Sequence, residues 1–259
     1  MENKQDLVEG IITETEPVVS KLSVDKQKLY LPVSIVIAAV LISGSIVYTR
    51  SSGTSTGDTQ GNIAEQTKKV DVSMDDDAYL GNPSAPVKII EFSDFQCPYC
   101  RTFWSESLPS IKKDYVDTGK AVFVYRDFPL SFHPAALISA LAANCAKDQG
   151  KYWEMHDKMF LEELGKGTGT ITYGSVDLKK WAKEIGLDAN TFNQCLDSQK
   201  YKAEVDKDIA DGSSAGVSGT PTTFVNGVAI VGAQPYATFK AAIDKALAEA
   251  ATQKKGFFK

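Results

Sequence analysis

A chain of 259 residues, 43% hydrophobic and 24% charged, is long enough for one domain of ordinary size with appendages and can bury a full core. Its 28 basic and 33 acidic residues leave a net charge of −5, which argues against a nucleic-acid partner, for which a basic stripe is expected. Four cysteines, an even number, suit an oxidising compartment, while only two histidines and a single close cysteine pair leave a zinc site short of its four ligands, so no metal is expected.

Residues 1–30 mix charges with short apolar pieces in no sustained period and read as a cytoplasmic tail. From Leu31 to Tyr48 the run LPVSIVIAAVLISGSIVY carries no charge, enough to cross about 30 Å of hydrocarbon at about 1.5 Å per residue. A membrane anchor is the favoured reading. A buried core helix is opposed by the bracketing Lys26, Lys28 and Arg50; a signal peptide cleaved near Ser43-Gly44-Ser45 is opposed by the long charged segment ahead of the run. Lys21, Lys26 and Lys28 precede the span, whereas Arg50 stands alone until Lys68, so the positive-inside bias leaves the N-terminus in the cytoplasm and the rest outside. Residues 49–74, rich in Ser, Thr, Gly and Gln, form a flexible linker, and residues 75–259 the folded domain.

That domain opens on Asp75-Asp76-Asp77, a solvated turn with a calcium site as the less favoured alternative. Gly81 to Pro86 is turn chemistry, and Val87 to Phe92 is an apolar strand. Cys97-Pro98-Tyr99-Cys100 follows directly and begins a helix whose apolar face is Phe103, Trp104, Leu108 and Ile111, kinked at Pro109 and ending near Gly119. Ala121 to Tyr125 is a second strand, and Asp127 to Pro134 a loop. Helical patterns at Ala135–Ala143, Tyr152–Leu164, Val176–Ile185 and Asn190–Leu196 make an all-helical insertion over about 133–211. Within it Gly165 to Gly169 lacks the spacing of a phosphate loop and reads as a connector. Gly219-Thr220-Pro221 then leads into the strand Thr222–Val225, the hairpin turn Asn226-Gly227, the strand Val228–Val231 and a closing amphipathic helix from Tyr236. The fold class is α/β: a mixed sheet flanked by helices, with the cysteine pair at its edge.

Two cysteines two residues apart at a strand-to-helix turn put Cys97 at a helix N-terminus, where unpaired backbone NH groups and the helix dipole favour a thiolate. A thiolate is the nucleophile and the better leaving group in disulfide exchange, so Cys97 is the expected attacking sulfur and Cys100 the resolving one.

The run GNPSAPVKIIEFSDFQCPYCRTF, the later GTPTTFVNG and the helical block between them resemble the DsbA-like thiol–disulfide oxidoreductases, thioredoxin-fold proteins with a helical insertion that include membrane-anchored forms. The resemblance implies that Cys97 is an exposed nucleophile, Cys100 its buried partner, and Thr220-Pro221 a cis peptide facing them. Pro98, Tyr99, Thr220 and Pro221 would then meet an extended client, the backbone at Thr220 pairing with it. Glu91 resembles the family's buried acidic residue, a proton acceptor for Cys100; the other reading of this residue is a glutamate at a sheet edge pointing to water. Tyr99 replaces the histidine found between the cysteines of the best-known oxidase, which puts the strength of oxidation in question. Cys145 and Cys195 are most simply a structural disulfide, with two inert thiols or a second redox pair as alternatives.

The resemblance further implies no cofactor beyond the Cys97-Cys100 disulfide, reduced exported proteins as clients, and a quinone-linked membrane protein as reoxidant. The competing readings are an isomerase or reductase of the same fold, and a tethered peptide-binding module in which CPYC is incidental.

Overall fold

The computed structural model describes residues 69–256. The tail 1–30, the anchor 31–48 and most of the linker lie outside the described residues; among the described residues no helix is long and apolar enough to cross a membrane.

In chain order the elements are β1 (Tyr79–Gly81), β2 (Val87–Ser93), a helix α1 over 98–116, β3 (Ala121–Asp127), α2 (Ala136–Lys147), α3 (Tyr152–Glu163), α4 (Ser175–Glu184), α5 (Ala189–Asp197), α6 (Lys202–Ser214), β4 (Thr222–Val225), β5 (Val228–Val231) and α7 (Tyr236–Gly256). The sheet runs β1-β3-β2-β4-β5, with β2 and β3 parallel and the other pairs antiparallel. β2 is central and covered on both faces, which is why its sequence is a nearly continuous apolar run instead of an alternation. Val87 and Ile89 face a layer containing Phe103, Phe123 and Phe239, while Ile90 and Phe92 face the other side. On that second face Phe128 and Phe224 meet the Phe92 ring edge-on, with centroids 6.2 and 5.9 Å away.

Asn226 and Gly227 both take positive φ in the expected hairpin turn. Gly227 is required for a second reason: a Cβ there would lie 2.5 Å from the Val70 carbonyl oxygen, because the incoming chain crosses it and Val70 N–H donates to Gly227 O at 2.9 Å. The end of the linker is therefore not loose. Val70, Val72 and Met74 pack on the second face of the sheet, so the folded part starts ahead of Asp75.

The kink expected at Pro109 is realised as a widened turn. Proline lacks an NH and its ring crowds the carbonyl four residues earlier, and α1 passes through a π turn over Phe103–Ser107 before resuming as α-helix at Leu108–Ile111. β3 runs two residues past the expected end at Tyr125, because Arg126 and Asp127 find buried partners on α6 and α2. The acidic triplet divides. Asp75 and Asp76 are exposed in a turn, but Asp77 is buried against Arg126 at 2.9 Å, so the solvated-turn reading fails there. Oxygens of Asp75, Asp77 and Asp208 can converge within 4.8 Å, and the Arg126 guanidinium already pairs with all three.

The helical block is built around α2, whose buried alanines let its neighbours approach closely. Cys145 on α2 and Cys195 on α5 are joined as a disulfide. Closing a loop across 50 positions restricts the unfolded chain by about 4 kcal/mol on the chain-entropy argument.

Candidate active site

The cysteine pair stands at the C-terminal end of the central strand, not at the edge of the sheet. Asp94, Phe95 and Gln96 carry the chain from β2 into α1, and Cys97 caps the helix with φ −77° and ψ 122°. Its NH donates to Asp94 O at 3.0 Å and its carbonyl accepts from Arg101 N–H at 3.1 Å.

Both cysteines are free thiols here. The Cys97 thiol reaches the Thr220 carbonyl oxygen at 3.4 Å, and the Thr220-Pro221 peptide is cis. The two segments, 123 positions apart in sequence, thus meet at the reactive sulfur. Cys97 retains only 3% of its surface, which corrects the expectation of an exposed nucleophile: the Thr220-Pro221 loop lies against it. Tyr99 beside it is 65% exposed.

Several groups hold the Cys97 thiol down at about 6 against the opposing effect of burial. A hydrogen bond from the Cys100 thiol contributes most; Thr220 and the backbone NH groups of Cys100 and Tyr99 add to it. The helix terminus alone, on which the sequence reading rested, is therefore only part of the cause. Burial pushes the Cys100 thiol well above the ordinary range, and the neighbouring Cys97 and Glu91 charges push the same way. Two thiols two residues apart are thus driven to opposite protonation states.

Glu91 points inward, 2% exposed, rather than to water. Burial raises its carboxyl to about 8, opposed by the Ser93 hydroxyl, which donates to Oε1 at 2.8 Å, and assisted by the Cys97 charge. It can hold a proton near neutral pH and release it, as an acid–base partner for Cys100 must.

Other residues that fix this geometry escape a sequence reading. Asp94 accepts from Gln96 N–H at 2.8 Å and from Leu130 N–H at 2.9 Å, and its Oδ2 lies 2.7 Å from His133 Nδ1. Gln96 bridges the helical block, donating to Ile171 O at 2.8 Å and accepting from Ala135 N–H at 2.6 Å. Arg101, buried one residue past Cys100, pairs with Glu163 at 3.0 Å and donates to the carbonyls of Gly167 and Gly169, so the glycine-rich connector is a strap pinned to the active-site helix. Only Arg101, by its place after the motif, carried any local signal. A groove of about 520 Å³ runs beside the cysteines, lined in part by Pro98, Tyr99, Thr102 and Leu164.

A dithiol with one depressed and one elevated pKa, at the head of a helix and facing a cis-proline loop on a five-stranded sheet, defines the thiol–disulfide oxidoreductase class. Comparison with known proteins agrees. Residues 73–245 match the family model described as Thioredoxin. Disulfide bond formation protein D of Bacillus subtilis is 31% identical over 172 residues, covering 65% of this chain and 76% of that protein. A Na(+)/H(+) antiporter NhaA 3 of Salinispora tropica is 32% identical over 188 residues, but the chain spans only 27% of that protein's length. The crystal structure of oxidised BdbD from Bacillus subtilis superposes with a TM-score of 0.61 at 28% identity, over 68% of this chain and 95% of that one. Alpha-DsbA1 of Wolbachia pipientis gives a TM-score of 0.58 at 26% identity, over 69% and 94%. The chain belongs to the thioredoxin family, among its DsbA-like thiol–disulfide oxidoreductases.

Proposed function

We propose that this protein is a membrane-tethered, extracytoplasmic thiol oxidase that passes its Cys97-Cys100 disulfide to reduced exported proteins. A client thiolate attacks Cys97 Sγ, the intramolecular disulfide breaks, and Cys100 leaves and takes up a proton. A second client thiolate then attacks the client sulfur of the mixed disulfide, and Cys97 departs as a thiolate. An extended client segment lies along Thr220-Pro221 and the groove beside Tyr99. A quinone-linked membrane protein restores the disulfide, and the run 31–48 holds the domain at the outer face of the membrane.

The observation that carries the oxidase direction is the environment of Cys97. At pH 7 a thiol held at about 6 instead of near 9 stabilises the reduced form by about 1.4 kcal/mol, equivalent to roughly 30 mV toward the oxidising end. A relative named for disulfide bond formation supports the same direction. Equilibration with glutathione tests it: the potential should lie at or above about −200 mV, and one far below that value would assign the protein to reduction instead.

A further inference from the structure

The groove beside the cysteines continues farther than the exchange reaction requires. Ser105 and Leu164 line both that groove and a second cavity, of about 510 Å³, set between α1 and α3. Trp104, Trp153, Leu80 and Pro109 wall this cavity, and Asp157 stands among them. Both indoles are fixed. Trp104 donates its ring NH to Asp157 Oδ1 at 2.9 Å and stacks on Phe160 with centroids 5.6 Å apart, and Trp153 donates to Tyr79 O at 3.2 Å. With both NH groups engaged, what the rings have left for a ligand is π surface, whose faces are negative. The carboxylate is held as firmly. Its Oδ1 also lies 2.9 Å from Nδ1 of the buried His156, and since an ionised carboxylate only accepts, the imidazole NH donates. Burial raises this carboxyl, but the hydrogen bonds from His156 and Trp104 outweigh it and leave Asp157 below the ordinary range. Among the described residues Oδ2 has no partner, and the side chain is 62% exposed. Glu106, on the wall of the first groove, likewise pairs with no lysine or arginine among the described residues, whereas the lysine of the cavity, Lys112, is taken by Asp117 at 2.8 Å.

We propose that the cavity walled by Trp104, Trp153 and Asp157 is a recognition pocket for an arginine side chain of the client, set apart from the reacting cysteine. A guanidinium stacks on indole rings, pairs through two NH groups with a carboxylate and carries an apolar stem that apolar walls can cover. The cavity supplies all three partners. Its occupant is a segment of the client because the two cavities share Ser105 and Leu164, so a chain leaving Cys97 along the groove arrives here. Pro98 lines the near cavity and Pro109 the far one, and the stretch of α1 between them is about 16 Å long at about 1.5 Å per residue. An extended chain covers that distance in about five residues at about 3.3 Å each. The arginine therefore stands about five positions from the client cysteine.

The pocket rests on the exchange chemistry proposed above, and its test separates the two. Oxidised full-length protein is mixed with reduced two-cysteine peptides in which one arginine is moved from next to a cysteine to about ten positions away. The second-order rate of disulfide transfer is followed by stopped flow and expressed per peptide thiolate, which removes the effect of arginine on the peptide's own ionisation. Arginine about five positions away should raise the rate about tenfold over alanine at that place, and lysine should raise it less. The gain should shrink as salt is added. Asp157→Asn should erase it, and Asp157→Lys should transfer it to glutamate at the same position of the peptide. A rate that does not depend on where arginine stands, an equal gain from leucine, or a gain that survives in Asp157→Asn would overturn the pocket and leave the exchange reaction standing. Failure of the wild-type disulfide to oxidise any of the peptides would instead remove the exchange reading itself. Should the Asp157 variants not fold, the arginine, lysine, leucine and alanine peptides with wild-type protein decide alone.

Discussion

Replacing Cys97 with alanine is expected to abolish disulfide transfer to reduced ribonuclease, a loss on the order of a thousandfold or more, because no other thiol of the pair can receive the client's attack. Cys100 has no surface and its thiol is held protonated, so it cannot substitute. Cys100→Ala should behave differently. Its Cys97 remains a nucleophile, and when it attacks the disulfide of an oxidised client, expelling the other client sulfur as a thiolate, no resolving sulfur releases the product, so mixed disulfides should accumulate and be visible on non-reducing gels. The same variant removes the hydrogen bond that contributes most to lowering the Cys97 pKa, so the remaining thiol should also ionise at higher pH than in wild type. Equal accumulation of mixed disulfides by the two single variants would reject the assigned roles.

The second large effect is expected away from the cysteines, at Arg126. Its guanidinium is 1% exposed and packs over the Phe92 ring at 5.2 Å. It pairs with Asp77 at 2.9 Å, Asp211 at 2.8 Å and Asp208, whose other oxygen accepts from Asp127 N–H at 3.0 Å. Two buried carboxylates, Asp77 and Asp208, thus depend on one buried cation, and a third, Asp127, lies beside Asp208 and accepts from Asn144 Nδ2 at 2.7 Å. Burial raises Asp77 to about 9 and Asp127 to about 8, with repulsion from Asp208 second in both cases. Arg126→Met should cost about 3–5 kcal/mol near pH 7.5, since it leaves buried charge unpaired. The pH dependence has a definite sign. Carboxyls whose folded pKa exceeds the unfolded value hold protons that the unfolded chain releases, so their contribution is best below about pH 4 and declines as pH rises toward 8 and 9. Arg126→Met should therefore be closer to wild type in urea denaturation at pH 6 than at pH 8. A cost independent of pH would assign the loss to packing alone.

What could be read along the chain was whatever is encoded by neighbours. The cysteine pair, the Asn226-Gly227 turn, the apolar central strand and the proline of Thr220-Pro221 all announce themselves within a few residues. β1 does not, because three residues, Tyr-Leu-Gly, are too few to show an alternation. The supports of the site were hidden for a different reason. Asp94 reaches His133 across 39 positions, Arg101 reaches Glu163 across 62, and Arg126 reaches Asp208 across 82. Each charge, taken alone, reads as a surface residue, and only the fold reveals that it is buried with its partner. The exposure of Cys97 was misjudged because the segment covering it arrives from residue 220.

All of this depends on Cys97 being ionised when its neighbours are not. The rate of its alkylation by iodoacetamide in the reduced protein, followed from pH 4 to 10, measures that directly. The rate should rise through an inflection near pH 6. An inflection near 9, that of an ordinary thiol, would contradict the account.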